Sequence, residues 1–96
     1  MAIALSVPML ANAAGDAAAG KAKSMMCSGC HGADGMAIAP MYPNLKGQNA
    51  AYIESSLKAF KNKTRTGGMS VMMYGMAAPL SDADIANLAA YYSSLK

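Results

Sequence analysis

The pattern of apolar and polar positions is helical over two parts of this 96-residue chain. Ile53, Leu57 and Phe60 recur at helical spacing, which predicts a helix over about residues 50–61. A second apolar stripe predicts a last helix over about residues 81–95, and its members are Ile85, Leu88, Tyr91 or Tyr92, and Leu95. No segment is rich in strand signals, so the pattern predicts an all-α fold.

Local signals mark where the predicted helices begin. Asn49 stands at the N-cap position of the helix over residues 50–61, and Ser81 with Asp84 resembles a capping box at the start of the last helix. An alanine-rich segment predicts a further helix from a cap at Asp16 to about Met26. These signals predict three helices joined by longer connections.

Two connections contain glycine and proline and show no period. Residues 32–35 are predicted to be a turn-rich loop, and residues 36–48, which hold Pro40 and Pro43, are predicted to be an extended loop. Residues 62–80 hold Gly67, Gly68 and Pro79, and these residues predict a loop over much of that stretch.

The first 14 residues form an uncharged apolar run that ends in small residues. Ala11, Asn12 and Ala13 fit the small-x-small pattern of a signal-peptidase site, although the basic start of a signal peptide is missing. The run is too short to span a bilayer. We expect residues 1–14 to be an export signal, cleaved after Ala13 or Ala14, and residues 15–96 to form a single domain.

The composition favours a chain that packs around a large ligand. Apolar residues make up 54% of the sequence, but Trp is absent and Met occurs ten times. Methionine is flexible and fills irregular gaps, so most of these residues are expected to be packing. The net charge is +3 with scattered basic residues, which does not indicate nucleic-acid binding.

The chemistry is concentrated in one motif, Cys27-Ser28-Gly29-Cys30-His31. This C-x-x-C-H spacing is typical of a c-type haem attachment site, where two thiols form thioethers and the histidine binds the iron. A redox dithiol would need a βαβ context, and a structural zinc site needs about four ligands. The chain has only two cysteines and one histidine, so haem attachment is the favoured interpretation.

The motif and three later segments together resemble a small bacterial class I cytochrome c, or the repeat unit of a dihaem one. These segments are residues 40–48, the methionine cluster after residue 68, and residues 80–85. The resemblance covers about residues 15–96. It implies three to four helices around one covalent haem, with the first and last helices crossing at Gly20 against Tyr91 and Leu88. Either tyrosine at 91 or 92 could instead pack on the haem edge.

The resemblance also implies the second axial ligand. Thioether sulfur is a soft donor, and Met69, Met72, Met73 and Met76 all compete for the iron. Counted back from residues 80–82, the resemblance implies Met73 as the ligand, then Met72, then Met76.

The haem pocket is expected to include Pro43 and Leu45. The resemblance implies that the Pro43 carbonyl accepts a hydrogen bond from His31, with Pro40 as the alternative acceptor.

These expectations describe a one-electron carrier of the periplasm that is not an enzyme. It would be a monomer exchanging electrons with redox partner proteins, with no stable insertion of the mature chain in a membrane. Three alternatives remain open: an electron-entry haem subunit of a larger oxidoreductase, a five-coordinate haem protein with peroxidase-like or gas-binding activity, and a haemless thiol or metal module.

Overall fold

The computed structural model describes residues 15–96, and the predicted export segment over residues 1–14 lies outside the described residues. No strand occurs within residues 15–96, so the predicted all-α fold is confirmed. The helices are α1 (Ala17–Lys23), α2 (Met25–His31), α3 (Ala50–Lys61), α4 (Ser70–Ala77) and α5 (Asp82–Ser94). None of the helices in this described part is long and apolar enough to cross a membrane.

The first helix runs further than predicted but is interrupted. Asp16 caps α1, because its carboxylate accepts a 2.9 Å hydrogen bond from the N–H of Ala18. Ser24 separates α1 from α2, and its hydroxyl donates to the carbonyl of Lys21 at 2.7 Å. The chain then stays helical to His31, and Gly32 ends the helix with a φ of 83°. If α1 and α2 are counted as one interrupted helix, residues 15–96 contain four helices.

Helices α1 and α5 cross at Gly20, as predicted. A Cβ atom at Gly20 would lie 1.9 Å from the carbonyl oxygen of Asn87 and 2.8 Å from the Cβ of Tyr91. The Asn87 side chain also accepts a 2.8 Å hydrogen bond from the N–H of Asp16. The absence of a side chain at Gly20 therefore lets the two helix backbones meet, and Tyr91 is the tyrosine at the crossing.

Helix α5 lies at the centre of the packing. It contacts α1 on one side and α3 on another, while α4 packs against α3. The capping box predicted at its start is present: Ser81 Oγ accepts from the Asp84 N–H, and the Asp84 carboxylate accepts from the Ser81 N–H, both at 3.0 Å. Leu88 and Tyr92 on this helix are almost completely buried.

The loop predicted over much of residues 62–80 is interrupted by α4. Its flanks are irregular, since Gly67 and Gly68 have φ values of 97° and 51° and Pro79 lies beyond the last helical residue. The helix between them was not predicted. Its sequence is apolar on nearly every side, so it carries no amphipathic period to detect.

Asn49 occupies the predicted N-cap position of α3, although its side chain makes no capping hydrogen bond. The bounds of this helix agree with the prediction from its apolar stripe.

Candidate haem site

Helix α2 presents the three residues of the attachment motif together. Cys27 and Cys30 are three residues apart, so they lie on the same side of the helix. Both are free and partly buried, and His31 in the last turn is buried. Burial raises the pKa of the Cys27 thiol, because the charged thiolate loses its solvation there.

A cavity of about 700 Å³ opens beside this helix, within the size range of cofactor pockets. It is bounded by α2, the loop before α3, α3, α4 and α5, and its lining is largely apolar. Pro43 and Leu45, both predicted to belong to a haem pocket, line it. So do the candidate ligands and attachment residues Cys27, Cys30, His31, Met69, Met72, Met73 and Met76.

The ring of His31 is oriented by the loop that follows α2. Its Nδ1 atom lies 2.8 Å from the carbonyl oxygen of Pro43. A carbonyl oxygen can only accept, so Nδ1 carries the proton and Nε2 keeps a free lone pair. The acceptor is Pro43 rather than the alternative Pro40. This is the arrangement that a metal-binding imidazole requires.

Helix α4 and its N-cap bring the methionine cluster to the cavity. Met69, Met72, Met73 and Met76 follow one another at i, i+3, i+4 and i+7, and therefore share one helix face. The exposed fraction is 52% for Met72, 43% for Met69 and 36% for Met76, and Met73 is more buried than any of them.

Tyr92 lies at the cavity. The sequence alone did not decide which of Tyr91 and Tyr92 packs at the haem edge. Tyr92 lines the cavity beside Leu88, and only 2% of its surface is exposed. Its hydroxyl is a buried side-chain polar atom without a hydrogen-bond partner among residues 15–96. Burial, reinforced by the neighbouring Cys27, raises the pKa of this phenol.

Other lining residues were missed by sequence reasoning. Tyr42 stands edge-on to the His31 ring at 6.4 Å between centroids, and the adjacent Cys30 raises the pKa of its phenol. Gln48, Tyr52 and Arg65 also line the cavity. Tyr42 and Gln48 lie in the segment over residues 40–48 that carries the family resemblance, but nothing in it marks them as lining residues. Tyr52 and Arg65 reach the cavity only through the path of α3 and the loop after it.

The donor set fits an iron porphyrin. Two thiols on one helix side can form the thioethers, an imidazole with a free Nε2 suits iron, and thioether sulfurs in the same cavity supply a soft ligand. Residues 15–96 contain no group of three or more His, Cys, Asp or Glu side chains that could hold a metal ion.

Comparison with known proteins identifies the family. The cytochrome c family matches residues 17–96. Cytochrome c-554(548) of Halomonas halodenitrificans is 58% identical over 81 residues, which cover 84% of this chain and 98% of the relative. The crystal structure of reduced cytochrome c4 from Pseudomonas stutzeri is 43% identical with a TM-score of 0.76, over 86% of this chain and 47% of that one.

A further relative is named for a partner enzyme. The thiosulfate dehydrogenase electron acceptor of Thiomonas intermedia is 41% identical over 80 residues, covering 82% of this chain and 36% of the relative. The chain thus spans less than half the length of this relative and of the cytochrome c4 structure, but nearly all of cytochrome c-554(548).

The chain belongs to the cytochrome c family. Its fold is the class I cytochrome c fold, and its prosthetic group is one covalently attached haem c with its iron. The predicted family, fold and cofactor are therefore confirmed.

Proposed function

We propose that this cytochrome c domain is a one-electron carrier of the periplasm. Cys27 and Cys30 hold the haem through thioethers, and His31 and Met73 are the axial ligands of its iron. The observation that carries the proposal is the 2.8 Å bond from His31 Nδ1 to the Pro43 carbonyl in a cavity that also contains the methionine cluster. When bound, the haem supplies a ferric–ferrous couple.

The protein tunes that couple through residues on two sides of the cavity. The Pro43 carbonyl fixes the tautomer of His31 and makes its Nε2 more basic. Met73, the least exposed of the four candidate methionines, supplies a soft donor that favours ferrous iron. The largely apolar lining excludes water and raises the potential further.

Electron transfer without catalysis follows from the same ligands. If His31 and Met73 were both bound, the iron would have no open position for a substrate or a gas. This is the reason for proposing that the chain is not an enzyme. The five-coordinate alternative would require Met73 and its neighbouring methionines to leave the iron, although all of them line the cavity.

The proposed compartment and partners rest on further features. Residues 1–14 resemble an export signal, and c-type haem attachment in bacteria takes place outside the cytoplasm, an implication of the family resemblance. Redox encounters are usually small and transient, so we expect a monomer that meets a donor and an acceptor protein in turn.

The second candidate is an electron-entry subunit of a larger oxidoreductase. One observation favours it, namely the similarity to the relative named as a thiosulfate dehydrogenase electron acceptor. The two candidates share the haem site and differ only in whether the partner stays bound. Co-purification with a catalytic subunit at physiological salt would identify the subunit role.

Optical spectroscopy of the haem-loaded protein tests the proposed site. We expect the ferric form to show the weak long-wavelength band of iron–methionine ligation, and Met73→Ala to abolish it. Met72→Ala is the matched control on the same helix and should keep the band. Loss of the band in Met72→Ala or Met76→Ala, with Met73→Ala unchanged, would move the ligand to that residue. A wild type without the band would contradict the carrier and favour the five-coordinate alternative.

A further inference from the structure

Helix α4 carries the candidate iron ligands but has little local support of its own. It is eight residues long, well below the roughly 12 residues that an isolated helix needs in water. Its N-cap residue, Met69, makes no side-chain capping bond, and its first turn holds no acidic residue. Gly75 lies inside it and disfavours helix further. The position of α4 therefore depends on contacts with the rest of the chain.

Packing holds α4 mainly at its two ends. Ser70 and Ala77 are its buried residues, and Met73 and Tyr74 in the middle are partly exposed. The helix that α4 packs against most is α3. The two glycines before it, residues 67–68, lie in open space, since a Cβ atom at either would meet no atom within 4 Å apart from its chain neighbours. Packing thus fixes the ends of α4 better than its middle, where the favoured iron ligand lies.

Tyr74 ties the middle of α4 to the loop after α3. Its hydroxyl donates a 2.5 Å hydrogen bond to the carbonyl oxygen of Arg65. The backbone around this acceptor is fixed in turn, because the N–H groups of Thr64 and Arg65 donate to the carbonyl oxygen of Ala59 at 2.9 and 3.3 Å. The hydroxyl of Tyr74 is therefore anchored to the last turn of α3.

Lys61 ties the segment after α4 to the same end of α3. It is the last residue of α3, and its ammonium group donates a hydrogen bond to the carbonyl oxygen of Leu80. Leu80 follows three residues after the end of α4 at Ala77, and its own side chain is buried. Two side-chain hydrogen bonds thus connect α4 and its exit to one end of α3.

The anchored tyrosine is the direct neighbour of the favoured ligand. Adjacent residues point about 100° apart around a helix, so Tyr74 and Met73 face different sides of α4. Met73 lines the haem cavity, whereas Tyr74 is not among the lining residues. Fixing Tyr74 on the loop side also fixes the rotation of α4 about its axis. That rotation sets the direction in which the Met73 thioether points.

We infer that Tyr74 and Lys61 are positioning residues that keep the Met73 thioether on the haem iron. The inference rests on the proposed function. Neither side chain lines the haem cavity, and each acts by holding α4 against α3. Without either hydrogen bond, α4 would move more easily on the two glycines before it, and the iron–sulfur bond would open more often.

Displacement of the methionine by added imidazole tests the inference in the ferric, haem-loaded protein. Imidazole can bind the iron only after the iron–sulfur bond has opened, so the rate at saturating imidazole reports that opening. Tyr74→Phe should speed displacement about fivefold, the size expected for one lost hydrogen bond, and should keep the iron–methionine band.

Tyr91→Phe is the matched control for the Tyr74 variant. It also removes a hydroxyl that donates to a backbone carbonyl, that of Ala33, but at the crossing of α1 and α5. Denaturant unfolding should therefore show a similar loss in the two variants, while the displacement rate of Tyr91→Phe should equal that of the wild type. A role in overall stability alone would change both rates together.

Lys61→Leu tests the second hydrogen bond. It should also speed displacement, and Lys61→Arg should restore most of the wild-type rate, because arginine again supplies an N–H donor. Lys58→Leu is the control, since Lys58 is exposed on the same helix and loses the same charge. Its displacement rate should equal that of the wild type.

The outcomes separate the inference from the proposed function. If the wild type shows the iron–methionine band but Tyr74→Phe displaces methionine no faster than Tyr91→Phe, the role of Tyr74 is overturned while the proposed function stands. Equal rates in Lys61→Leu and Lys58→Leu would overturn the role of Lys61 in the same way. A wild type without the band would overturn the proposed function itself. Should Tyr74→Phe not fold, the two lysine variants decide by the same measurement.

Discussion

The Nδ1 atom of His31 and the carbonyl oxygen of Pro43 lie 2.8 Å apart, which ties the end of α2 to a loop twelve residues further along the chain. The loop in turn is held by its own hydrogen bonds. The Ala37 N–H donates to Asn44 Oδ1 at 2.7 Å, and the Leu45 N–H donates to the Gly35 carbonyl at 2.7 Å. The orientation of the imidazole therefore also depends on hydrogen bonds within this loop that do not involve His31 itself.

Replacing Asn44 with alanine should loosen this loop. Asn44→Ala removes the acceptor for the Ala37 N–H, and we expect the free energy of unfolding to fall by about 1 kcal/mol. We also expect the iron–methionine band to disappear at a lower denaturant concentration in Asn44→Ala than in the wild type. The reason is that the neighbouring Pro43, whose carbonyl orients His31, is held less firmly in the variant. Denaturant titrations of the haem-loaded protein followed by absorbance measure both effects.

Asn49→Ala is the matched control for the Asn44 variant. Asn49 makes no side-chain capping bond to α3, so its replacement should change stability by less than about 0.5 kcal/mol. Equal losses in the two variants would mean that the Asn44 side chain does not hold the loop.

The sequence predicted those parts of the fold whose signals are local. The apolar stripe of α3, the capping box at Ser81 and Asp84, and the glycine at the crossing each combine a residue type with a spacing. The motif at residues 27–31 was equally informative, because each of its three reactive residues has its own chemical task. All of these features can be recognised without knowing where the rest of the chain lies.

The features that were missed depend on tertiary structure. Helix α4 has no polar face, so its period is invisible in the sequence, and the glycines and proline around it indicate only where it cannot extend. Arg65 reads as one more basic residue in a loop until the structure places it over Phe60 at the cavity. At the helix crossing, by contrast, the family resemblance favoured Tyr91 over Tyr92 and the structure agrees. Adjacent residues differ by about 100° around a helix, so only one of the two tyrosines can face Gly20.

The crossing of α1 and α5 should not tolerate a side chain at residue 20. In Gly20→Ala the new Cβ would meet the Asn87 carbonyl oxygen at 1.9 Å, and this backbone atom cannot rotate away. We expect the free energy of unfolding to fall by about 3 kcal/mol, the upper end of the usual range for overpacking. Thermal or denaturant unfolding of the haem-loaded variant measures the loss.

Gly75→Ala controls for the change of residue type in the Gly20 variant. Gly75 lies inside α4, and a Cβ there would meet no atom within 4 Å. Alanine favours helix by about 1 kcal/mol over glycine, so this variant should be unchanged or more stable. If Gly20→Ala behaved like Gly75→Ala, the close backbone contact at the crossing would be disproved.

The adjacent tyrosines of α5 should respond differently to loss of their hydroxyls. Tyr91 donates a 3.3 Å hydrogen bond to the Ala33 carbonyl, so Tyr91→Phe should cost about 1 kcal/mol of the free energy of unfolding. The Tyr92 hydroxyl is buried without a partner among the described residues, so Tyr92→Phe should leave stability unchanged or raise it. Denaturant unfolding of the two haem-loaded variants compares them directly. A loss in Tyr92→Phe as large as in Tyr91→Phe would show that the bound haem or a water gives this hydroxyl a partner.

The capping box of α5 should make part of the free energy of unfolding depend on pH in the acidic range. The Ser81 N–H bonded to Asp84, assisted by Lys23 at 3.5 Å, holds the pKa of this carboxyl below its ordinary value of 3.8. The folded state thus favours the charged carboxylate, and its contribution to the free energy of unfolding is complete above pH 3.8. That contribution is lost as the pH falls from 3.8 through the lower pKa of the folded state.

Asp84→Asn tests this pH dependence, because asparagine cannot titrate. The stability difference between wild type and Asp84→Asn should be largest near neutral pH and should shrink as the pH is lowered from about 5 to about 2. Asp82→Asn is the control, since it removes the same charge from the same first turn of α5 outside the capping box. Denaturant unfolding at each pH provides the free energies. A difference that stays constant for Asp84→Asn, or that shrinks equally for Asp82→Asn, would show that the hydrogen-bonded cap is not the source of the acid sensitivity.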